Sequence, residues 1–212
     1  MIPLLGQGFL ISLEIFFFTL LGSLPLGIFV ALGRMSKFKP LSWVMQLFIS
    51  VLRGTPLMLQ LLAIFFGPYY LLGIPLTSQW KIYACILAFI INYAAYFAEI
   101  YRSGIQSISK GQYEAAEVLG YSNTQTFIRV VLPQVIKRIL PAMGNEVITL
   151  VKDTSLAFVL GVGELMSMAK SISAAQVSME PFLWAALMYW VLCLIIEVIL
   201  NRTEKKLGYY HD

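Results

Sequence analysis

Five long apolar runs separated by short polar connections restrict what this chain can fold into. They fall near residues 9–33, 41–67, 82–101, 139–163 and 181–200. Each is close to the ~20 apolar residues that cross a bilayer as a helix. In hydrocarbon no water pairs with backbone amides, so a spanning segment must satisfy them internally, as a helix does. Only 12% of the residues are charged and 59% are hydrophobic, too little polarity to clothe a soluble domain of this length. The expectation is an all-α membrane protein of about five transmembrane helices, a single domain over residues 1–212. The second run is interrupted: in "LRGTPLMLQ", Thr55 is a candidate N-cap before Pro56 at the first helical position. A short interfacial helix then precedes the true span, with Arg53 near the interface.

Basic residues give the runs a direction. Arg34, Lys37, Lys39, Arg102, Lys110, Arg129, Lys137, Arg138, Arg202, Lys205 and Lys206 all fall on one side. Those are eleven of the fifteen Lys and Arg, whereas Lys81 and Lys170 fall on the other. Basic loops stay in the cytoplasm, so the N-terminus is expected outside and the C-terminus inside. The same bias accounts for the net charge of +4, which is therefore not read as a nucleic-acid footprint. No basic segment precedes the first run, so no cleavable signal peptide is expected. Cys85 and Cys193 lie inside apolar runs as small fillers, and no metal site can be built from them.

The inner connection between the third and fourth runs, about residues 103–138, is long and punctuated like a soluble helix. Ser109 and Gln112 match a capping box, and Gly120 supplies a C-terminal stop. Between them Ala115, Ala116 and Leu119 are expected on one face. Ser122 or Asn123 can cap a second helix carrying Phe127, Val130 and Val131, with Pro133 closing it. On physical grounds such a helix either lies on its own protein or the lipid surface, or docks on a partner.

Within it, "EAAEVLGYSNTQTFIRVVLP" resembles the EAA loop of permease subunits from binding-protein-dependent ABC importers. The family's pattern falls on Glu114, Ala115, Ala116, Gly120, Val130, Leu132 and Pro133, with valine at 130 where isoleucine is usual. The likeness extends through "LRGTPLMLQL", "AAYFAEIYRSGIQSISKGQYEAA" and "NEVITLVKDTSLAFVLGV", and it is similar to the polar amino-acid uptake branch. That resemblance implies a type I importer fold in a bacterial cytoplasmic membrane. It implies that Glu114, Ala115, Ala116 and Gly120 form a coupling helix docked on a pair of cytoplasmic ATP-binding subunits. It also implies an extracytoplasmic substrate-binding protein and a dimer, with a second copy or a similar permease. The chain has no Gly-x-x-x-x-Gly-Lys-Ser/Thr loop, so ATP and Mg are expected on the partner subunits and no cofactor here.

The fourth run contains "GNEVITLVKDTSLAFV". At about 100° per residue, Asn145, Glu146, Thr149, Lys152 and Asp153 share one arc of about 120°. Such a stripe belongs on a cavity or a helix interface, because charge facing lipid is costly. Lys152 and Asp153 diverge on a helix, and Asp153-Thr154-Ser155 is a run of cap-forming residues where the helix can break. Broken helices at membrane depth are where transporters place polar substrates. Lys152 and Asp153 suit the carboxylate and ammonium of an amino acid, and Glu146 suits an ammonium or a basic side chain. The competing reading is an ion-pair network that fixes dimer geometry. Arg53 and Glu99 are expected to pair structurally; Tyr93 and Tyr96 can line a path. Glu14, Glu164, Glu180 and Glu197 sit near run ends and receive no role, and the lone His211 lies in the tail.

No nucleophile–base pair is present, so the chain is not expected to be an enzyme. The alternatives to an ATP-driven permease are an ion-gradient-driven secondary transporter or channel subunit and a structural membrane anchor. A gradient-driven carrier is expected to show an internal repeat, and an anchor needs no polar stripe.

Overall fold

The computed structural model describes residues 1–207, so His211 lies outside the described residues. Among them there are helices and turns and no strand. Three helices are long and apolar enough to cross a membrane alone: α1 (Ile2–Arg34), α4 (Trp80–Gln106) and α9 (Glu180–Leu207). Two further crossings are bent. The second run divides into α2 (Lys39–Gly54) and α3 (Leu57–Leu72), which meet at 111°. The fourth runs from Asn123 to Leu160 and turns by 57° into α8 (Leu165–Gln176). Five expected spans thus become three unbroken helices and two broken ones.

The core is the packing of α1 on α4. Along α1 the buried positions include Gly8, Ser12, Thr19, Ser23, Gly27 and Ala31, a row of small residues at helical spacing. Small residues let membrane helices approach at backbone distance, which is how such helices bind each other where no water drives them together. At Gly27 α1 meets the α4 backbone: an added Cβ would stand 3.0 Å from Phe97 Cβ and 3.2 Å from the Ala94 carbonyl oxygen. The α4 face opposite is itself largely alanine and aromatic, with Ala84, Ala88, Phe89, Tyr93, Ala94, Ala95, Phe97 and Ala98 all buried. The outward residues of α1, among them Phe17, Phe18, Leu21 and Phe29, are exposed apolar side chains suited to lipid. The "EIFFF" run divides accordingly, with Ile15 fully buried.

The break between α2 and α3 differs from the expectation in its chemistry. Thr55 does not cap α3; its hydroxyl donates backward to the Val51 carbonyl at 2.8 Å and closes α2. Pro56 begins α3 as the cap residue, in extended conformation. The carbonyls released by the break are met from inside. Gln60 Nε2 donates to the Leu52 and Thr55 carbonyls at 2.8 and 3.1 Å. Asn92 Nδ2, on α4, donates to Gln60 Oε1 at 2.9 Å and approaches the same Leu52 carbonyl at 3.3 Å. Both amides are buried, as a broken helix in a membrane requires.

The inner connection forms α5 (Lys110–Val118) and α6 (Asn123–Thr126), followed by a π-helical turn, Phe127–Val131, and α7 (Leu132–Asp153). Pro133 therefore does not close the second helix. It sits in the first turn of α7. The π turn before it shifts the hydrogen-bond register, so the carbonyl that proline cannot serve is accommodated without a stop. The rod that forms the fourth span thus starts at Asn123, well before residue 139.

Candidate functional site

The polar stripe lies on α7 as a half-open edge. Asn145, Thr149 and Lys152 are exposed, and Glu146 and Asp153 are half-buried. Lys152 makes no hydrogen bond or ion pair among the described residues, whereas Asp153 turns inward. There the Tyr93 hydroxyl, on α4, donates to Asp153 Oδ2 at 2.8 Å. Tyr93 is 2% exposed and stacks on Phe89 at a ring separation of 6.4 Å, so the donor is held rigidly. The two neighbours are therefore separated as helix geometry demands, one anchored to α4 and one presented outward. An exposed row of this polarity in a spanning helix cannot sit against lipid without a cost of about 2.5–3.5 kcal/mol per charge. It needs water, a ligand or a second chain.

Arg53 joins this region from the α2 end. Its guanidinium stands 5.3 Å from the Tyr96 ring centroid, and that ring lies 6.1 Å from Tyr93. The expected Arg53–Glu99 pair is not formed. Glu99 pairs instead with Arg102, one turn along the same helix, where the approach costs no tertiary rearrangement. Of the two tyrosines, Tyr93 is core and supports the stripe, and Tyr96 is partly exposed and carries the cation.

The break near Asp153 takes a different form from the expected cap. The α-helix ends at Asp153 and tightens into a 3₁₀ turn, Thr154–Leu160. Thr154 donates back to the Val151 carbonyl at 2.7 Å and caps nothing ahead of it. The true reversal comes at Gly161, left-handed at φ +68°, and α8 begins after Glu164. Glu164 is fully buried. Its carboxylate accepts from the backbone N–H groups of Met166 and Ser167 at 2.7 Å each, and from the Tyr189 hydroxyl at 3.1 Å. Ser12 of α1 accepts from the next amide, Leu165 N, at 3.3 Å. Reading Glu164 as a solvated end residue is therefore corrected: it ties α8 to α9 and caps a helix inside the protein. The available signal was its place after Gly161 and Gly163, two glycines that mark a turn in an apolar run.

On the inner side, α5 projects from the bundle. Ser109 is its N-cap residue but makes no side-chain cap bond, and the Gln112 side chain, the other half of a capping box, instead accepts from Gln134 Nε2 at 3.2 Å. The capping box forms one motif later, at Ser122 and Gln125. Gly120, at φ +77°, stops the helix. The Gly120 and Tyr121 amides donate to the Glu117 and Ala116 carbonyls at 2.9 and 3.0 Å, a paired closure that fixes the exit angle. Ala116 is buried at 3% exposure, whereas Glu114, Ala115 and Gly120 are exposed. Leu119 does not join Ala116, because as the C-cap residue it swings off the helical path. It is 73% exposed and Val118, which the sequence did not single out, is 88% exposed, so the two form an apolar tip beside the small alanine.

Bent spans around an exposed polar edge, with a rigidly stopped helix projecting on the side rich in basic residues, define a helical membrane transport component. The chain belongs to the binding-protein-dependent transport system inner membrane component family, whose profile matches residues 23–209. It is similar to the arginine transport system permease protein ArtQ of Bacillus subtilis, 41% identical over 97% of this chain and 93% of that one. The L-cystine transport system permease protein TcyB of the same organism is 34% identical over 98% of this chain and 88% of its own length. Among solved structures, a chain from an amino acid ABC transporter with histidines superposes at a TM-score of 0.88. It is 36% identical, covering 96% of this chain and 94% of the other. The inward-facing MetNI methionine transporter shares the fold at a TM-score of 0.76 and 19% identity.

Proposed function

We propose that this chain is the transmembrane permease subunit of an ATP-driven amino-acid importer in a bacterial cytoplasmic membrane. The observation that carries the reading is the exposed polar edge of α7, which no lipid can cover and which an amino acid between two permease subunits fits. The names of the relatives, which include arginine and L-cystine transport, support an amino-acid cargo. The basic bias supports an N-terminus outside and α5 in the cytoplasm. Asn145, Glu146, Thr149 and Lys152 face the path, with Lys152 toward the substrate carboxylate and Glu146 toward an ammonium or a basic side chain. Asp153, braced by Tyr93, supplies fixed negative charge beside them. Glu114, Ala115, Ala116 and Gly120 present the helix that receives a pair of ATP-binding subunits, which hold ATP and Mg. A substrate-binding protein delivers from outside, and a second permease, a copy or a similar chain, completes the path.

The test is paired. Lys152→Ala and Asp153→Asn are measured for assembly by size exclusion and for uptake of basic and neutral amino acids. A buried charge-assisted hydrogen bond contributes roughly 1.5–3 kcal/mol, so apparent affinity falls by about ten- to a hundredfold in an assembled complex. Glu146→Gln weakens uptake of a basic amino acid more than of a neutral one. Lost assembly with an unchanged preference sinks the substrate reading and leaves the stripe as a dimer contact. Gly120→Val, strained by roughly 1–2 kcal/mol at its positive φ, inserts normally but loses ATPase stimulation; full stimulation contradicts the coupling role.

A further inference from the structure

Helices α1 and α9 are joined chiefly through α8. Leu5 of α1, Leu165 and Ala169 of α8 and Ala185 of α9 are buried in one apolar cluster. Beside that cluster, and sharing Leu5 with it, the seam between the two long helices is left unfilled as a half-open groove of about 500 Å³. Its lining residues are all apolar. On α1 they recur about once a turn from Ile2 to Leu13, and on α9 they form one stripe from Trp184 to Ile195. Each stretch is about 17 Å of helix, close to half of the ~30 Å hydrocarbon core of a bilayer.

Trp184 sets the depth of the groove. Its Nε1 donates to Glu180 Oε1 at 3.2 Å, the posture of an interfacial tryptophan with its polar edge toward water. The groove therefore opens at headgroup level and ends near the bilayer midplane, the depth of one leaflet. Chemistry and size then narrow what can fill it. Water does not occupy an apolar cavity, because it finds no hydrogen-bond partners there. An amino-acid cargo finds no polar group to hold its charged ends. A helix 10–12 Å across and as long as the groove would take roughly 1,300–1,900 Å³, well beyond the space present. Left empty, the lining side chains would forfeit their dispersion contacts. A single polymethylene chain meets every condition: it is thin, carries no polar group and is present at that depth in any bilayer.

We propose that the groove between α1 and α9 is a binding site for one acyl chain of a membrane phospholipid, from the leaflet at the N-terminal ends of both helices. The chain acts as a packing element that the fold itself lacks. It lies against Met188, the neighbour of Tyr189, whose hydroxyl donates to the buried Glu164 carboxylate. Occupancy of the groove is thus coupled to the hold of α9 on the start of α8, at the second broken crossing. The assignment needs only that α1 and α9 span a bilayer, so it stands or falls apart from the transport reading.

The test uses the permease with its ATP-binding subunits, reconstituted in nanodiscs of dioleoylphosphatidylglycerol and then extracted for native mass spectrometry. One phospholipid per permease is expected to survive delipidating washes. Leu192→Trp, which fills the groove, lowers the lipid-bound fraction at least tenfold. Leu194→Trp, on the same helix but outside the groove, leaves it within twofold of the parent. Independently, a photoreactive benzophenone side chain introduced at Leu187, on the groove's exposed rim, gains the mass of one phospholipid on irradiation in the nanodisc. Equal retention in the two tryptophan variants overturns the assignment, as does a parent that retains no lipid. If Leu192→Trp does not assemble, the Leu187 adduct decides. A missing phospholipid adduct overturns the assignment, and so does an adduct with a second permease, which gives the groove to a contact between chains.

Discussion

The two broken crossings solve opposite problems. Between α2 and α3 the break strands carbonyl oxygens at a helix end, and the chain answers with donors: the buried amides of Gln60 and Asn92. Before α8 the break strands N–H groups at a helix start, and the answer is an anion: the buried carboxylate of Glu164. A helix end lacks partners for four carbonyls and a helix start for four N–H groups. The sign of the deficit decides which side chain must be buried, and a membrane enforces the choice because water cannot substitute.

The comparison is broken most sharply at Glu164. Glu164→Ala leaves two backbone donors and the Tyr189 hydroxyl without their acceptor, and a loss of about 3–4 kcal/mol is expected. Thermal unfolding in detergent reads it, and Glu164→Gln, which keeps one accepting oxygen, recovers part. A wild-type melting temperature in the alanine variant means that α8 is not held by its cap. At the other break, Asn92→Leu takes away one donor, but Gln60 still serves the Leu52 carbonyl. The expected cost is smaller, about 1–2 kcal/mol, by the same measurement. If it exceeds that of Glu164→Ala, the ranking of anion over amide is reversed.

Tyr93→Phe tests the segment leading into the second break. It removes one hydrogen bond to Asp153 and should cost about 1 kcal/mol of stability. Weakened uptake with an otherwise stable complex would show that Asp153 must be positioned, not merely present. The smallest effects are expected where water reaches the helix ends. Ser122→Ala loses a formed capping box and about 0.5–1 kcal/mol of local stability, read by hydrogen exchange over residues 123–126. Ser109→Ala, whose side chain makes no cap bond, should leave exchange over α5 unchanged. Equal effects at the two serines would mean that cap geometry does not govern this loop.

What the sequence made legible follows the range of the interactions. Gly120 was readable because a left-handed stop is decided within a few residues. The apolar runs were readable because hydropathy is additive along the chain. The stripe from Asn145 to Asp153 was readable from helical periodicity alone. Ser109-Gly111-Gln112 and Ser122-Gln125 illustrate the limit, since both fit the same local pattern. Gln134, twenty-two residues away, draws the first glutamine off, and no local rule encodes that competition. Arg53 was given the wrong partner for a similar reason: Arg102 already holds Glu99. Glu164 was missed because an acidic residue at the edge of an apolar run looks solvated until α1 and α9 are folded over it. Pro133 misled in the other direction, because a π turn can carry a proline that an α-helix would reject.

The close seam between α1 and α4 also fixes a schedule. Residues 19–31 emerge from the ribosome long before the α4 residues they pack against, the last of which lie near Gln106. At about 5–20 residues per second, the interval between Ala31 and Gln106 lasts roughly 4–15 s. Throughout it the newborn first helix exposes the hydroxyls of Thr19 and Ser23 to whatever surrounds it. In the finished fold the Thr19 and Ser23 hydroxyls still lack a partner among the described residues, so the row is tuned for closeness to α4 rather than for comfort in lipid. During synthesis the nascent chain therefore depends on the insertion machinery to shelter this row, and a pause between the first and third crossings prolongs its most vulnerable state.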